Sequence, residues 1–560
     1  MDSFYNKILF ISNFCKNLNI KFLKIACLGY YICSKFYVWN KRMAVRLITI
    51  LFLFLSLMTQ KASAITVEEI VDNYVAKITD RIADFVFFPV SICGAKIPII
   101  ILWILIAGIF FTIYFRVIAV WGFKHSLNLI LKAKKSGDGE GEVSSFQALA
   151  TALSGTIGMG SIAGVAIAIS IGGPGAAFWI LVGSVFGMSL KFAEASLALM
   201  YRTFNSDGSV SGGPMHYIAH GLTRKKLRWL GQPLSVLFAI VFIGGAFTGG
   251  NLIQINQITH LMVQVTGGEE SFLYNNCWLM GLFFAVVVGM ITIGGIKSIA
   301  KVTEKIVPFM CLLYIIGGLG IVLTHIPLIP HAFAVILKQA FYPESVAGGI
   351  FGTIIIGLRR SVQTNEAGTG SAPIVYATAK TNEPVSQGFI SMVEPFICGM
   401  LCLLTAFIVT VTGTYENLVP GKIEGIEMVS NSFASVFPFF PKILTVVVLL
   451  FGLSTIISWA YYGQKCWNFL FGEGFKRSVF FHIIYCVVII IGSELNVKSV
   501  INIVDAMMLS TSVPNIIAIY ILAPEIKEEL MKYCAKFNIR NPLNKIREEI
   551  ENSEKINVNN

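Results

Sequence analysis

The run Ser154-Gly155-Thr156-Ile157-Gly158-Met159-Gly160-Ser161-Ile162-Ala163-Gly164 places hydroxyls and glycines, without a charge, inside an apolar span of roughly 146–171. That length crosses a bilayer. Glycine in a helix interior costs about 1 kcal/mol relative to alanine, and unwound backbone at membrane depth survives only when buried in protein or lining a cavity. A helix that breaks here offers N–H groups from one half and C=O groups from the other, the groups that receive a carboxylate and a cation. Helix packing competes with this reading, because Gly160 and Gly164 also form a GxxxG pair. A second polar set, Ser454-Thr455 with Ser458 and Trp459, interrupts another apolar span. Such hydroxyls mostly bond back to their own helix, but beside free carbonyls they supply the hard oxygens that a small alkali cation needs.

Other motifs carry less. Gly158-x-Gly160 with Gly164 is one residue too long for a dinucleotide fingerprint and follows no strand. Gly172-Gly-Pro-Gly175 reads as a tight turn between spans. Gly348-Gly349 through Gly352-Thr353 to Gly357 suggests a second discontinuous helix, five spans after the first. Lys191 and Glu194 stand three residues apart within a span and read first as a structural pair, second as a proton relay. Asp505, near the outer end of the last span, reads equally as an intramembrane candidate or as interfacial. The eleven cysteines and seven histidines show no metal-ligand or redox spacing.

Elements to position these residues are abundant. The chain is 55% hydrophobic and 13% charged, with a mean hydropathy of +0.73, where a soluble domain is about 25% charged. Long apolar segments without alternation specify an all-α integral membrane protein rather than a barrel. Eleven spans are expected, near 97–121, 146–171, 174–201, 233–264, 277–296, 304–326, 345–360, 385–413, 434–471, 478–494 and 499–523. The net charge of +12 reflects topology rather than nucleic-acid binding. Lys124, Lys132, Lys134 and Lys135, then Arg202 and Arg224 to Arg228, then Lys297, Lys301 and Lys305 mark inside loops, while Glu68, Glu69, Asp72, Asp80, Asp84, Glu269, Glu270, Glu416, Glu424 and Glu427 mark outside ones. Residues 1–64 read as a basic extension followed by a signal-peptide-like segment, with a basic start at Met43, an apolar core at Leu47–Met58 and a cleavage pattern at Ala62-Ser63-Ala64. Translation from Met43 and a mature start near Ile65 are the corresponding expectation. The remaining divisions are an extracytoplasmic segment at 65–96, a transmembrane domain at 97–523 and a charged cytoplasmic tail at 524–560.

Longer motifs add a resemblance. Phe146-Gln-Ala-Leu-Ala-Thr-Ala-Leu-Ser-Gly-Thr-Ile-Gly-Met-Gly-Ser-Ile-Ala-Gly-Val-Ala, Gly172-Gly-Pro-Gly-Ala-Ala-Phe-Trp179, Gly212-Gly-Pro-Met215, Asn365-Glu-Ala-Gly-Thr-Gly-Ser-Ala-Pro373, Ala379-Lys-Thr381 and Ser454-Thr-Ile-Ile-Ser-Trp459-Ala-Tyr-Tyr-Gly463 resemble the alanine or glycine:cation symporters. The resemblance implies the leucine-transporter-type fold, a five-plus-five inverted repeat with one extra N-terminal helix. It implies a non-enzymatic symporter in a bacterial-type inner membrane, mature N-terminus outside and C-terminus cytoplasmic, importing alanine or glycine with sodium. Proton coupling, another small amino acid, or a non-transporting receptor are the alternatives; the oligomeric state is left open. By the same resemblance, sodium is held by the Ser154 and Ile157 carbonyls and the Ser454 and Thr455 hydroxyls. Substrate is placed against Thr156, Gly158, Met159, Gly160 and Ser161, with Asn251 and Gln254 reaching the amino group and Thr353 and Trp459 enclosing the side chain. Ser161 stands where the family usually has Asn, and Ser361, Gln363 and Thr364 replace its usual Gly, Phe and Ser.

Overall fold

The computed structural model describes residues 81, 83–92, 95–133, 139–206, 208–342, 349–417, 425–495 and 497–539. The signal-like segment, most of the 65–96 segment and residues 540–560 lie outside the described residues. The contacts separate Met1–Ala64 from Ile65–Asn560, and all the described residues belong to the second unit.

A hairpin, β1 (Pro89–Ile92) and β2 (Ala95–Pro98), pairs Pro89 with Pro98 and Val90 with Ile97. It leads into α1 (Ile99–Tyr114). The expected span 97–121 is not one helix, because Arg116 and Val117 adopt positive φ of 53° and 54° and turn the chain.

The first broken span consists of α2 (Ser145–Thr156) and α3 (Ala163–Gly172), bent by 58° across the intervening turn. α2 begins with a capping box. The Ser144 hydroxyl accepts from the Gln147 N–H, and the Gln147 side chain accepts from the Ser144 N–H, so two otherwise orphaned donors are satisfied. α4 (Ala176–Met200) follows the Gly173 turn. A short amphipathic helix, α5 (Pro214–Arg224), precedes α6 (Arg228–Phe247). A π-helical turn at Thr248–Leu252 joins α6 to α7 (Ile253–Val265). The turn has a cause in close approach: a Cβ on Gly250 would lie 2.3 Å from Trp459. α8 (Trp278–Thr292) and α9 (Gly295–Thr324) close the first half.

α10 (Ile329–Phe341) lies between the halves and was not expected. The second half opens with α11 (Gly349–Asn365) and α12 (Ala372–Tyr376). It continues with α13 (Pro384–Ser391), α14 (Val393–Val411), α15 (Phe440–Phe471), α16 (Phe475–Gly492), α17 (Val497–Ser510) and α18 (Ser512–Lys536). Counting α2–α3, α6–α7, α11–α12, α13–α14 and α17–α18 each as one span and leaving out the short α5, the described residues give five spans in each half, with α1 in front.

Several boundaries differ from the sequence reading. α9 begins at Gly295, nine residues before the expected 304, so Lys297, Lys301 and Lys305 ride on a helix rather than in a loop. α18 runs through the expected boundary at 523, so the start of the charged tail continues the last span. Gly352 and Thr353 lie inside an uninterrupted α11, and the second break falls at 366–371 instead. The former lies in an apolar run and stays helical, whereas the latter is set by Glu366, Gly368 and Gly370, all at positive φ. Among the described residues, seven helices are long and apolar enough to cross a membrane, or eight counting the bent α2–α3 pair.

Candidate functional site

α2 stops at Thr156, and Ile157 leaves helical geometry with φ −81° and ψ 73°. Gly158 is extended, a single 3-10 turn covers Met159–Ser161, and α3 resumes. The break frees backbone groups that cost several kcal/mol each if left unpaired in an apolar interior. Side chains from distant helices satisfy them. The Ser154 carbonyl accepts from the Thr455 hydroxyl at 2.8 Å, and the Gly155 carbonyl from the Trp459 indole at 3.2 Å. The Met159 N–H donates to Gln254 Oε1 at 3.0 Å, while Gln254 Nε2 donates to the Gly249 carbonyl in the π turn.

The contact with α15 uses one helical face, at spacing four, three, one and three from Phe451 to Tyr462. Thr455, Ser458, Trp459 and Tyr462 all reach α2 or its end. Ser458 donates to the Thr151 carbonyl at 3.2 Å and to the Ser154 hydroxyl at 3.1 Å. The Ser154 hydroxyl in turn donates to the Ser454 carbonyl at 2.7 Å. Ser454 therefore meets α2 through its carbonyl; its own hydroxyl donates back to Phe451 O at 3.0 Å. The structure thus gathers Ser154, Ser454 and Thr455 and adds Ser458, whose part the sequence reading did not assign. These partners are uncharged oxygens, a donor set suited to a hard cation.

Beside the break lies a small cavity of about 20 Å³, lined by Gly155, Thr156, Gly158, Met159, Gly160 and Gly164. Its other walls include Gly249, Gln254 and Gln257, then Arg360, Gln363 and Glu366 of the α11 end, and Met508 of α17. That space holds roughly one water. The glycines divide by role. A Cβ on Gly158 would meet Thr455 Oγ1 at 2.6 Å, so that position needs glycine for close approach. A Cβ on Gly160 would find nothing nearer than 3.4 Å, and on Gly164 only the Met159 carbonyl at 3.8 Å. The GxxxG packing explanation requires a neighbouring backbone pressed against both. Instead both face the cavity.

Four expected substrate contacts lie elsewhere. Asn251 donates to the Tyr485 carbonyl at 3.0 Å, away from the cavity lining. Thr353 sits on α11 beside the far end of α3, its hydroxyl 3.5 Å from the Gly172 carbonyl. Trp459 packs behind the break, stacked on Phe242 at 5.2 Å. The Ser161 carbonyl accepts from Thr405 at 3.0 Å, and its buried hydroxyl has no hydrogen-bond partner; Ser161 does not line the cavity. The polar departure that does reach the cavity is Gln363. Gln254 lines it as expected, but with its amide oxygen engaged by the Met159 N–H.

Ion pairs differ as well. Lys191 pairs with Glu394 at 2.9 Å, not with Glu194. Glu194 accepts instead from the Gly370 N–H at 3.1 Å and from Asn515 at 2.6 Å. Asp505 is buried rather than interfacial, held by Arg359 at 2.6 Å and Arg360 at 3.2 Å. Arg360, Gln363 and Glu366 are cavity residues that the sequence reading did not select. The motif Asn365 to Pro373 contains one of them, but nothing local aims it at a break more than two hundred residues away.

Two broken helices five spans apart, crossing a bundle of apolar helices beside a small polar cavity, define a secondary-transporter architecture. A solved structure of MhsT in complex with L-phenylalanine shares the fold, with a TM-score of 0.52 over 68% of this chain and 89% of that one, at 14% identity. Residues 81–545 match the sodium:alanine symporter family. The chain is 36% identical to the sodium/alanine symporter AgcS of Methanococcus maripaludis, over 77% of this chain and 93% of that protein. It is 32% identical to the probable sodium/glutamine symporter GlnT of Bacillus subtilis, over 78% and 87%. The chain belongs to the sodium:alanine symporter family and has the leucine-transporter-type fold, a multi-pass membrane transporter of amino acids rather than an enzyme.

Proposed function

We propose that this protein imports a small neutral amino acid, alanine or glycine, together with sodium, across a bacterial-type inner membrane, its mature N-terminus outside and C-terminus cytoplasmic. The observation that carries the reading is the junction of the α2 end with α15. There Ser154, Thr455 and Ser458 present carbonyl and hydroxyl oxygens beside the cavity-lining glycines. In this reading sodium joins the Ser154 and Ile157 carbonyls and the Thr455 hydroxyl, with Ser458 replacing the Ser454 hydroxyl. The substrate carboxylate faces the N–H groups of the Gly158–Gly160 turn, displacing Gln254 from Met159. Its ammonium faces Glu366, the carboxylate on the cavity lining.

Sodium bound at the end of α2 fixes the turn that receives the carboxylate, so the two ligands tighten each other's binding reciprocally. The gradient supplies about 2.3 kcal/mol per charge for each 100 mV, plus the concentration term. A cavity of this size is too small for an amino acid; α11 and α17, tied by Arg360 and Asp505, must part from α2–α3 to admit substrate. The test is uptake of radiolabelled alanine and glycine into proteoliposomes under an imposed sodium gradient. Uptake that collapses when choline replaces sodium at fixed pH supports the reading. Uptake indifferent to sodium overturns it.

A further inference from the structure

The second break, at 366–371, holds a different chemistry from the first. α4 carries Lys191 and Glu194 one turn apart, α14 carries Glu394, and the break itself carries Glu366; none is more than 3% exposed. Three carboxyl groups therefore share one ammonium. Lys191 is committed to Glu394, which also accepts from the Tyr376 hydroxyl at 2.7 Å. Glu194 and Glu366 remain, both fastened to the same loop. Glu194 Oε1 takes the Gly370 N–H and the Asn515 amide, and Asn515 also donates to the Gly368 carbonyl at 2.8 Å. Glu366 Oε2 accepts from the Ser371 hydroxyl. Glu194 Oε2 is buried and has no hydrogen-bond partner.

Two further ionised carboxylates cannot both be carried there cheaply: each is desolvated, and each raises the cost of the other. A bound metal ion is the poorer solution, since among the described residues no group of three acidic, histidine or cysteine side chains is placed to hold one. A proton needs only one oxygen. The groups facing Glu194 and Glu366 from the packed elements are Lys191 on α4, Glu394 on α14, Tyr217 on α5, Trp459 and Tyr462 on α15 and Asn515 on α18, with Tyr376 of α12 on Glu394. Arg360 shares the cavity with Glu366 but is paired with Asp505. Lys191 is the cation within this set.

We propose that Glu194 is a proton-loading site: in the state that accepts substrate, its Oε2 carries a proton, leaving Glu366 as the ionised group toward the cavity. Loss of that proton sets two negative charges against the loop that aims Glu366, so deprotonation weakens substrate binding through the loop. The proposal rests on the transport reading for its consequence, but not for its first test.

Thermal unfolding of the purified full-length protein in detergent needs no ligand. If the folded protein holds a proton that the unfolded chain releases, stability falls as pH rises from about 4.3, where the unfolded carboxyl ionises, to the pH at which the folded Glu194 ionises, because in that window the unfolded state binds fewer protons. The wild type should show that fall and Glu194→Gln, which mimics the protonated carboxyl, should be flatter there. Uptake at fixed sodium gives the second readout. Wild-type uptake should drop about tenfold per pH unit along an alkaline limb, as for loss of one proton, and Glu194→Gln should keep its uptake across that limb. Wild-type uptake that is flat with alkaline pH, together with melting that falls no more than that of Glu194→Gln above about pH 4.3, overturns the proposal. So does a Glu194→Gln protein whose alkaline uptake limb matches the wild type. Failure of sodium-driven uptake in the wild type, with the melting difference intact, instead sinks the transport reading alone.

Discussion

The two broken helices solve one problem with opposite means. At 157–162 the freed backbone is met by neutral side chains, Thr455, Trp459 and Gln254, and the break contains no charge. At 366–371 a carboxylate joins the neutral partners: the Gly370 N–H goes to Glu194, while Asn515 and Asn365 meet the Gly368 carbonyl and the Ala367 N–H, and the Ser371 hydroxyl donates to Glu366. An uncharged set of oxygens gives a cation somewhere to bind without first assembling a buried excess of negative charge. A carboxylate-held loop makes its conformation depend on charge state. Pseudo-equivalent breaks therefore need not serve equivalent ligands, even when topology relates them.

The largest expected effect tests the charged side. Lys191→Met leaves Glu394 buried without its ammonium, and removing one partner of a buried pair costs about 3–5 kcal/mol. A sharp loss of thermal stability in detergent is expected, partly restored when Glu394→Gln is added. Equal melting of wild type and Lys191→Met would show that the second break is not held by charge.

Next comes steric closure of the neutral side. Gly158→Ala drives a methyl against Thr455 Oγ1, and overpacking of this kind costs about 1–3 kcal/mol. Sodium-driven uptake should fall by about tenfold or more, with membrane insertion retained. Gly164→Ala, whose methyl would touch only the Met159 carbonyl at an ordinary 3.8 Å, should change uptake by less than about threefold, within the small effect expected of a substitution that displaces no neighbour. If the two substitutions behaved alike, the division of glycines into close-approach and cavity-lining positions would fail.

Thr455→Ala removes one hydroxyl from the neutral set. A hydrogen bond or ligand of this strength is worth about 1–1.5 kcal/mol, so half-saturation by sodium should rise about tenfold, read from uptake against sodium concentration. Serine at 455 should restore most of the affinity. An unchanged sodium response would remove the cation from this junction.

The smallest effect separates two departures from the family pattern. Gln363→Phe should alter the ratio of alanine to glycine uptake by a few-fold, as pocket contacts worth about 1 kcal/mol do, because Gln363 lines the cavity. Ser161→Ala should leave that ratio within error, since Ser161 faces Thr405 rather than the cavity.

Local sequence determined much of this protein. Uninterrupted apolar runs force helices in a bilayer, because every backbone group must be paired within its own segment. The glycines between Ser154 and Gly164 mark the first break, since their cost in a helix is local and legible. The hydroxyl cluster at 454–458 was legible too, as residue types, but not its direction: Ser454 turned its hydroxyl inward, and only the facing of α15 selected Thr455 and Ser458. The second break escaped because Glu366, Gly368 and Gly370 lie beyond the apolar run that ended near 360, where a glycine has no helix to interrupt. Glu366 takes a left-handed φ of 53°, a cost of about 1–3 kcal/mol that surrounding structure must impose, and that structure arrives from α4 and α18. Partner choice is equally nonlocal. Lys191 and Glu194, one turn apart, are neighbours by helical geometry, yet α14 and the 366–371 loop each claim one of them. Hydrophobicity and glycine act where they stand in the chain. Charge and hydrogen bonding wait for whatever folding brings within about 3 Å, and that was decided by the tertiary structure.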